Sequence, residues 1–185
     1  MFITIPFCSK KLFVPNNFNR FLSNSILQCE IPYPQIKDKK KIRKTFNIPF
    51  VFEPVNSNQN GWDGYLLRVG NLPIDDVLHE ITHYIVAPKS RRKYPDFGLG
   101  DGFNSCGNAS RIVSKKFAEK EEELVCVLQW VLMFNLGYKN HIAKTMQIQF
   151  WDNTERDKCK IDKHLKTLKK RYESNCSRHQ TFFRL

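Results

Sequence analysis

The chain has 185 residues, 30 Lys+Arg against 18 Asp+Glu for a formal net charge of +12, and is 41% hydrophobic and 13% aromatic. That apolar content excludes a wholly disordered chain, and the length fits a single domain over 1–185. The longest apolar run, Leu124–Leu136, falls short of the roughly 20 residues that cross a bilayer. The first residues do not read as a signal peptide, because Pro6 interrupts a short apolar stretch and the lysines follow it. A cytoplasmic protein with no membrane partner is the expectation. None of the six cysteines forms a C-x-x-C pair, which argues against a zinc ribbon or a thioredoxin-like site.

Residues 1–70 hold six of the nine prolines and no sustained helical period. Phe2–Ile5, Ile48–Phe52 and Tyr65–Val69 read as short strands, and 56–61 as a polar turn. Within this part, Lys37–Lys44 has six basic residues and one acidic residue. A helix is predicted over Ile74–Ala87: Asn71 is a candidate cap, Pro73 suits the first turn, Asp75 and Asp76 suit the positive end, and Pro88 stops it. Residues 88–116, with four glycines, read as a long loop of the kind that is often functional. A second helix runs from about Lys115 to Leu136 and ends at Gly137. Its half from Leu124 is apolar on nearly every face and should be buried. Over 155–173, Ile161, Leu165, Leu168 and Tyr172 recur at helical spacing, giving a basic amphipathic helix. Lys37–Lys44 and Arg156–Tyr172 together carry eleven of the twelve net charges. The predicted class is therefore α+β. A short, mostly antiparallel sheet from the strand-rich 1–70 part packs on the helices of 71–138, and a basic extension follows over 139–185.

The chemistry centres on His79-Glu80-Ile81-Thr82-His83, an H-E-x-x-H inside the first predicted helix. Residues i and i+4 share a helical face, so both imidazoles can reach one ion, while Glu80 lies about 100° around the helix and can address a bound water. Two histidines need a third ligand. Candidates lie in Glu119–Glu123, where carboxylates lead directly into an apolar helix and a buried one wants a cation. Periodicity leaves Glu121 and Glu122 both open. His141 and Asp96 are further candidates, with His141 read as a surface histidine and Cys126 as a core residue.

The stretch from His79 to Gly98 resembles the bacterial elongation factor P hydroxylase family. There, H-E-x-x-H is followed by an aromatic (here Tyr84), a K-x-R-R element (Lys89, Arg91, Arg92) and D-F-G (Asp96, Phe97, Gly98). The family also has a glutamate eight residues before a Trp and a Gly-Tyr seven residues after it, matching Glu122, Trp130 and Gly137-Tyr138. The resemblance covers roughly 64–138. It implies His79, His83 and Glu122 as ligands of Fe(II), and a non-haem oxygenase that hydroxylates a lysine-type side chain on a protein, a translation factor in that family. Lys89, Arg91, Arg92 and Asp96 would contact substrate.

Two other readings use the same residues. A gluzincin-like peptidase would hold Zn2+ on the three ligands, with Glu80 as general base on the bound water and Tyr65–Val69 as an edge strand for extended substrate. A non-enzymatic module would bind nucleic acid, the ribosome or an acidic protein through the two basic segments, aided by Phe46, Phe50 and Tyr172, with a structural metal or none. The charge layout, basic segments flanking a metal core, fits an acidic protein substrate or a contact with ribosome or RNA.

Overall fold

The computed structural model describes residues 2–3, 5–6, 8, 11–15, 18, 22, 42–51, 61–70, 72–100, 111–142, 145–146, 149, 151 and 154–179, with side chains in the last helix described to Tyr172. Lys37–Lys41, Asn71 and 101–110, which the sequence singled out, lie outside the described residues. The class is α+β. Five two-residue strands, β1 (Phe2–Ile3), β2 (Leu12–Phe13), β3 (Phe50–Val51), β4 (Gly61–Trp62) and β5 (Leu67–Arg68), accompany three long helices, α1 (Ile74–Val86), α2 (Lys115–Leu136) and α3 (Glu155–His179). No helix among the described residues is long and apolar enough to cross a membrane.

The chain forms two compact units: Tyr33–Val125, and Met1–Pro32 together with Cys126–Leu185. One boundary falls between Pro32 and Tyr33 and the other inside α2. In the first unit, β5 is the central strand of three, parallel to β3 and antiparallel to β4. Asp63 folds the β4–β5 connection. Its Oδ1 accepts the amide N–H groups of Tyr65 and Leu66, both at 2.8 Å, and its Oδ2 pairs with Arg68. Gly61, the last residue of the expected polar turn, begins β4 with φ +110°; 56–60 lie outside the described residues.

In the second unit β1 pairs antiparallel with β2 and lies against α3. The free edge of β2 is satisfied by a side chain: Asn135 Oδ1 accepts from the Phe13 N–H at 2.7 Å and its Nδ2 donates to the Phe13 carbonyl at 2.8 Å. The apolar half of α2 is buried as predicted, with Val125, Val127, Leu128, Trp130, Val131, Leu132 and Met133 at 0% exposure. Trp130 meets Trp151 edge-on at 5.1 Å. His141, read from sequence as a surface histidine, is buried. Its position in a turn of helix after Tyr138 carries it inward, which the polar neighbours Lys139 and Asn140 did not suggest.

Helix ends follow local chemistry. Ser114 Oγ accepts the Phe117 N–H at the start of α2. Thr154 and Asp157 exchange side-chain and backbone bonds at the start of α3, a reciprocal cap. Pro73 is the residue before α1, with no side-chain cap bond. On α3, Ile161, Leu165, Leu168 and Tyr172 are buried, so its apolar stripe faces the protein, while Lys163, Lys166, Lys169 and Lys170 are exposed. At the end of α2, Gly137 takes φ +93°, and the Tyr138 N–H returns to the Met133 carbonyl at 2.8 Å, which closes a Schellman motif.

A Cβ at Gly137 would meet nothing within 4 Å, so only backbone strain opposes a side chain there. Gly137→Ala is expected to cost about 1–2 kcal/mol in urea unfolding, and Gly137→Asn less, because asparagine tolerates the left-handed region better.

Candidate metal centre

The inward face of α1 is set by Ile74, Val77, Leu78, Ile81 and Ile85, all buried. That apolar stripe fixes the helix rotation and turns His79 and His83 to one side. Their rings meet edge-on at 4.7 Å, 82° apart. Glu122 reaches them from the first half of α2. His79 Nε2 is 3.0 Å from Glu122 Oε1, and His83 Nε2 is 3.1 Å from Oε2. The two Nε2 atoms are themselves 3.1 Å apart. The three residues predicted as ligands therefore stand together.

Protons alone do not satisfy this triangle. If each Nε2 carries a hydrogen for its carboxylate oxygen, two donors face each other at the third edge. One cation within the triangle removes the conflict. Burial pushes the Glu122 carboxyl upward, but the charge of His83 and hydrogen bonds from His79 and His83 outweigh it and hold the group below the usual carboxylate range. It is thus ionised, as a ligand must be. Its side chain stays 46% exposed, so the triangle opens to solvent on that side.

Glu121 answers the question that periodicity left open. It is buried and paired with Arg91, whose Nη2 donates to both carboxylate oxygens. Arg91 Nη1 also donates to the Phe97 carbonyl at 3.3 Å, and its guanidinium lies over the Phe117 ring at 5.2 Å. The guanidinium of Arg91, expected to contact substrate, is buried and bonded to protein groups. Arg92 is likewise engaged locally. It donates to the Tyr84 carbonyl at 3.0 Å near the C-terminus of α1 and stacks over the Tyr84 ring at 4.6 Å. This satisfies one of the carbonyls that the end of a helix leaves open. Lys89 alone of the K-x-R-R element is exposed.

Pro95–Gly98 forms a tight turn in which Asp96 (φ 44°), Phe97 (φ 56°) and Gly98 (φ 70°) are left-handed. For each non-glycine residue this costs of order 1 kcal/mol. The Phe97 ring is near-parallel to both His83 (5.8 Å, 16°) and Trp62 (5.5 Å, 8°). Trp62 is pinned in turn by its Nε1 bond to the Arg92 carbonyl at 2.7 Å and by an edge contact with Tyr84. Sequence reasoning missed both Phe97 and Trp62 as site residues. The D-F-G element was the only signal for Phe97, and Trp62 had none. Asp96, another candidate third donor, lies near Gly61. A Cβ built at Gly61 would lie 3.5 Å from Asp96 Oδ1 and 4.0 Å from Glu80 Oε2, so both carboxylates approach the bare backbone of β4. Cys126 is a buried thiol one helical turn beyond Glu122 and belongs to the second unit.

No family model, curated protein or solved structure matches this chain.

Neighbouring carboxylates here should behave differently on substitution. Glu122→Ala is expected to abolish tight metal binding in titration calorimetry while the fold persists. Glu121→Ala should cost about 3–5 kcal/mol of stability, because it leaves the Arg91 charge buried without a partner. Asp76 gives a pH test. Burial, then the charges of Asp75 and Glu80, raise its carboxyl from 3.8 to about 6. The folded protein thus holds this proton more tightly than the unfolded chain, and the associated stability, full below pH 4, is lost as pH rises through 6. Asp76→Asn should therefore raise the melting temperature of the metal-free protein at pH 7.5 and give no gain at pH 4.

Proposed function

We propose that this chain is a metal-dependent oxygenase of the 2-His-1-carboxylate type, with His79, His83 and Glu122 holding Fe(II). Its reaction would resemble that of the elongation factor P hydroxylases, on a lysine-type side chain of a protein. The observation that carries the reading is the convergence of His79 Nε2, His83 Nε2 and the two Glu122 carboxylate oxygens, with separations of 3.0, 3.1 and 3.1 Å, a donor set of two imidazoles and one carboxylate. When bound, iron supplies the redox chemistry that activates O2 at the coordination positions the protein leaves open.

The chain's own residues have distinct tasks in this reading. With the metal bound, two imidazoles as neutral donors and the Glu122 carboxylate would make a ligand set with one negative charge. Trp62 and Phe97 wall one side of His83 with apolar rings and keep water from it. Glu80 and Asp96, which approach β4 at Gly61, are placed to orient a cationic side chain or to hold a proton. Hydroxylation places one oxygen of O2 in a C–H bond and releases the other as water, so an external reductant must deliver two electrons. Exposed Lys89, Lys93, Arg111, Lys115 and Lys116 give the same unit a positive surface that suits an acidic protein substrate. A cytoplasmic setting fits such a partner.

The peptidase reading has less support. Its expected edge strand, Tyr65–Val69, contains β5, which is hydrogen-bonded on both sides and cannot add a substrate strand. The edge beside Glu80 is β4, two residues long. The non-enzymatic reading keeps its lysine face on α3 and gives the triangle at most a structural metal.

Metal analysis of protein purified without added metal, followed by O2-dependent assay, tests the proposal. Near-stoichiometric iron and a +16 Da product on a protein lysine that needs both O2 and reductant are the expected results. Stoichiometric zinc with peptide hydrolysis lost in Glu80→Gln would replace it with the peptidase, and a chain that binds neither metal would end both enzyme readings.

A further inference from the structure

Metal-binding histidines are ordinarily aimed by a hydrogen bond from the ring nitrogen that does not face the metal, and that partner fixes ring angle and tautomer. His83 departs from this pattern. Its Nδ1 is buried and has no hydrogen-bond partner among the described residues, while Nε2 points to Glu122 and His79. Something else must set the ring plane. The group in place is the Phe97 ring, stacked at 5.8 Å and 16° on the imidazole.

We propose that Phe97 is the positioning residue for His83, taking by ring stacking the part that a carboxylate or carbonyl usually takes, and that Arg91 couples this support to the other ligand helix. The inference rests on the metal-site reading above. Three observations carry it. First, Phe97 is held in a left-handed backbone that a side-chain-bearing residue keeps only where surrounding contacts over-determine it. Second, such contacts surround it. Arg91 Nη1 holds the Phe97 carbonyl, Trp62 stacks on the ring at 5.5 Å, and Gly98 has no room for a Cβ, which would fall 2.3 Å from Ile112 Cγ1. Third, the same guanidinium is bonded to both carboxylate oxygens of Glu121, the residue immediately before the ligand Glu122. One buried cation thus ties the backbone of the stacking residue to α2 beside its ligand. The angle of His83 and the approach of Glu122 are not set independently.

The test measures Co(II) affinity and the visible Co(II) absorption of the full-length protein, alongside thermal unfolding of the metal-free form. Phe97→Leu keeps volume and apolarity but removes the stacking plane. It is expected to weaken Co(II) binding about 10–100-fold, the range seen when an orienting partner of a ligand histidine is lost, and to alter the absorption bands. Phe97→Tyr, which retains the ring plane, should restore affinity to within about threefold and return the wild-type spectrum. Arg91→Lys keeps charge against Glu121 but cannot also fork to the Phe97 carbonyl, and is expected to weaken binding in the same direction. If Phe97→Leu and Arg91→Lys bind Co(II) as wild type does with an unchanged spectrum, while only their melting temperatures fall, the residues are merely structural and the inference is overturned. Failure of the wild-type protein to bind Co(II) would instead overturn the metal reading itself.

Discussion

A guanidinium and a carboxylate that are both more than nine-tenths buried have no water to fall back on, so whatever surrounds them must satisfy them in full. Arg91 and Glu121 meet that demand with two bonds to one carboxylate, a further bond to the Phe97 carbonyl and an aromatic face beneath the cation. The pair fixes where the first half of α2 lies against the turn that follows α1. With Glu121 committed inward, Glu122, about 100° further around the helix, is left facing the histidines. The side that Glu122 faces follows from what its neighbour is already bound to.

Around this pair the K-x-R-R and D-F-G elements read as scaffold. Arg91 braces the turn, Arg92 closes the end of α1 and stacks on Tyr84, and Phe97 lies flat on His83. The basic residues that a sequence reading assigns to an acidic substrate group are consumed inside the protein, and only Lys89 stays in solvent. Two carboxylates, Glu80 and Asp96, approach the backbone of β4 at Gly61.

Helices were the most legible part of the fold. Ile74–Val86 and Lys115–Leu136 end within a residue of their predicted limits, because Pro88 and Gly137 stop them for local reasons that need no tertiary partner. The strands were less legible. Each described strand is two residues long, too short for an alternating pattern to emerge, and Gly61–Trp62 was hidden behind a run of polar turn formers. Buried His141 and the Asn135 side chain that completes β2 also left no periodic trace, since single polar residues turn inward only where a partner meets them.

Local chemistry written along the chain was enough to set His79 and His83 on one face of one helix, to bury the apolar half of α2 and to turn the stripe of α3 inward, since each depends on spacings of three and four residues. Spacing could nominate both Glu121 and Glu122 but could not choose between them, and could not tell that Arg91 is a strut or that Phe97 and Trp62 stand behind a ligand. Those assignments rest on contacts between residues about 30 apart, such as Arg91 with Glu121 and Trp62 with Arg92. Only the folded chain brings such groups within bonding distance, and burial then leaves each of them one arrangement in which its charge or ring is satisfied.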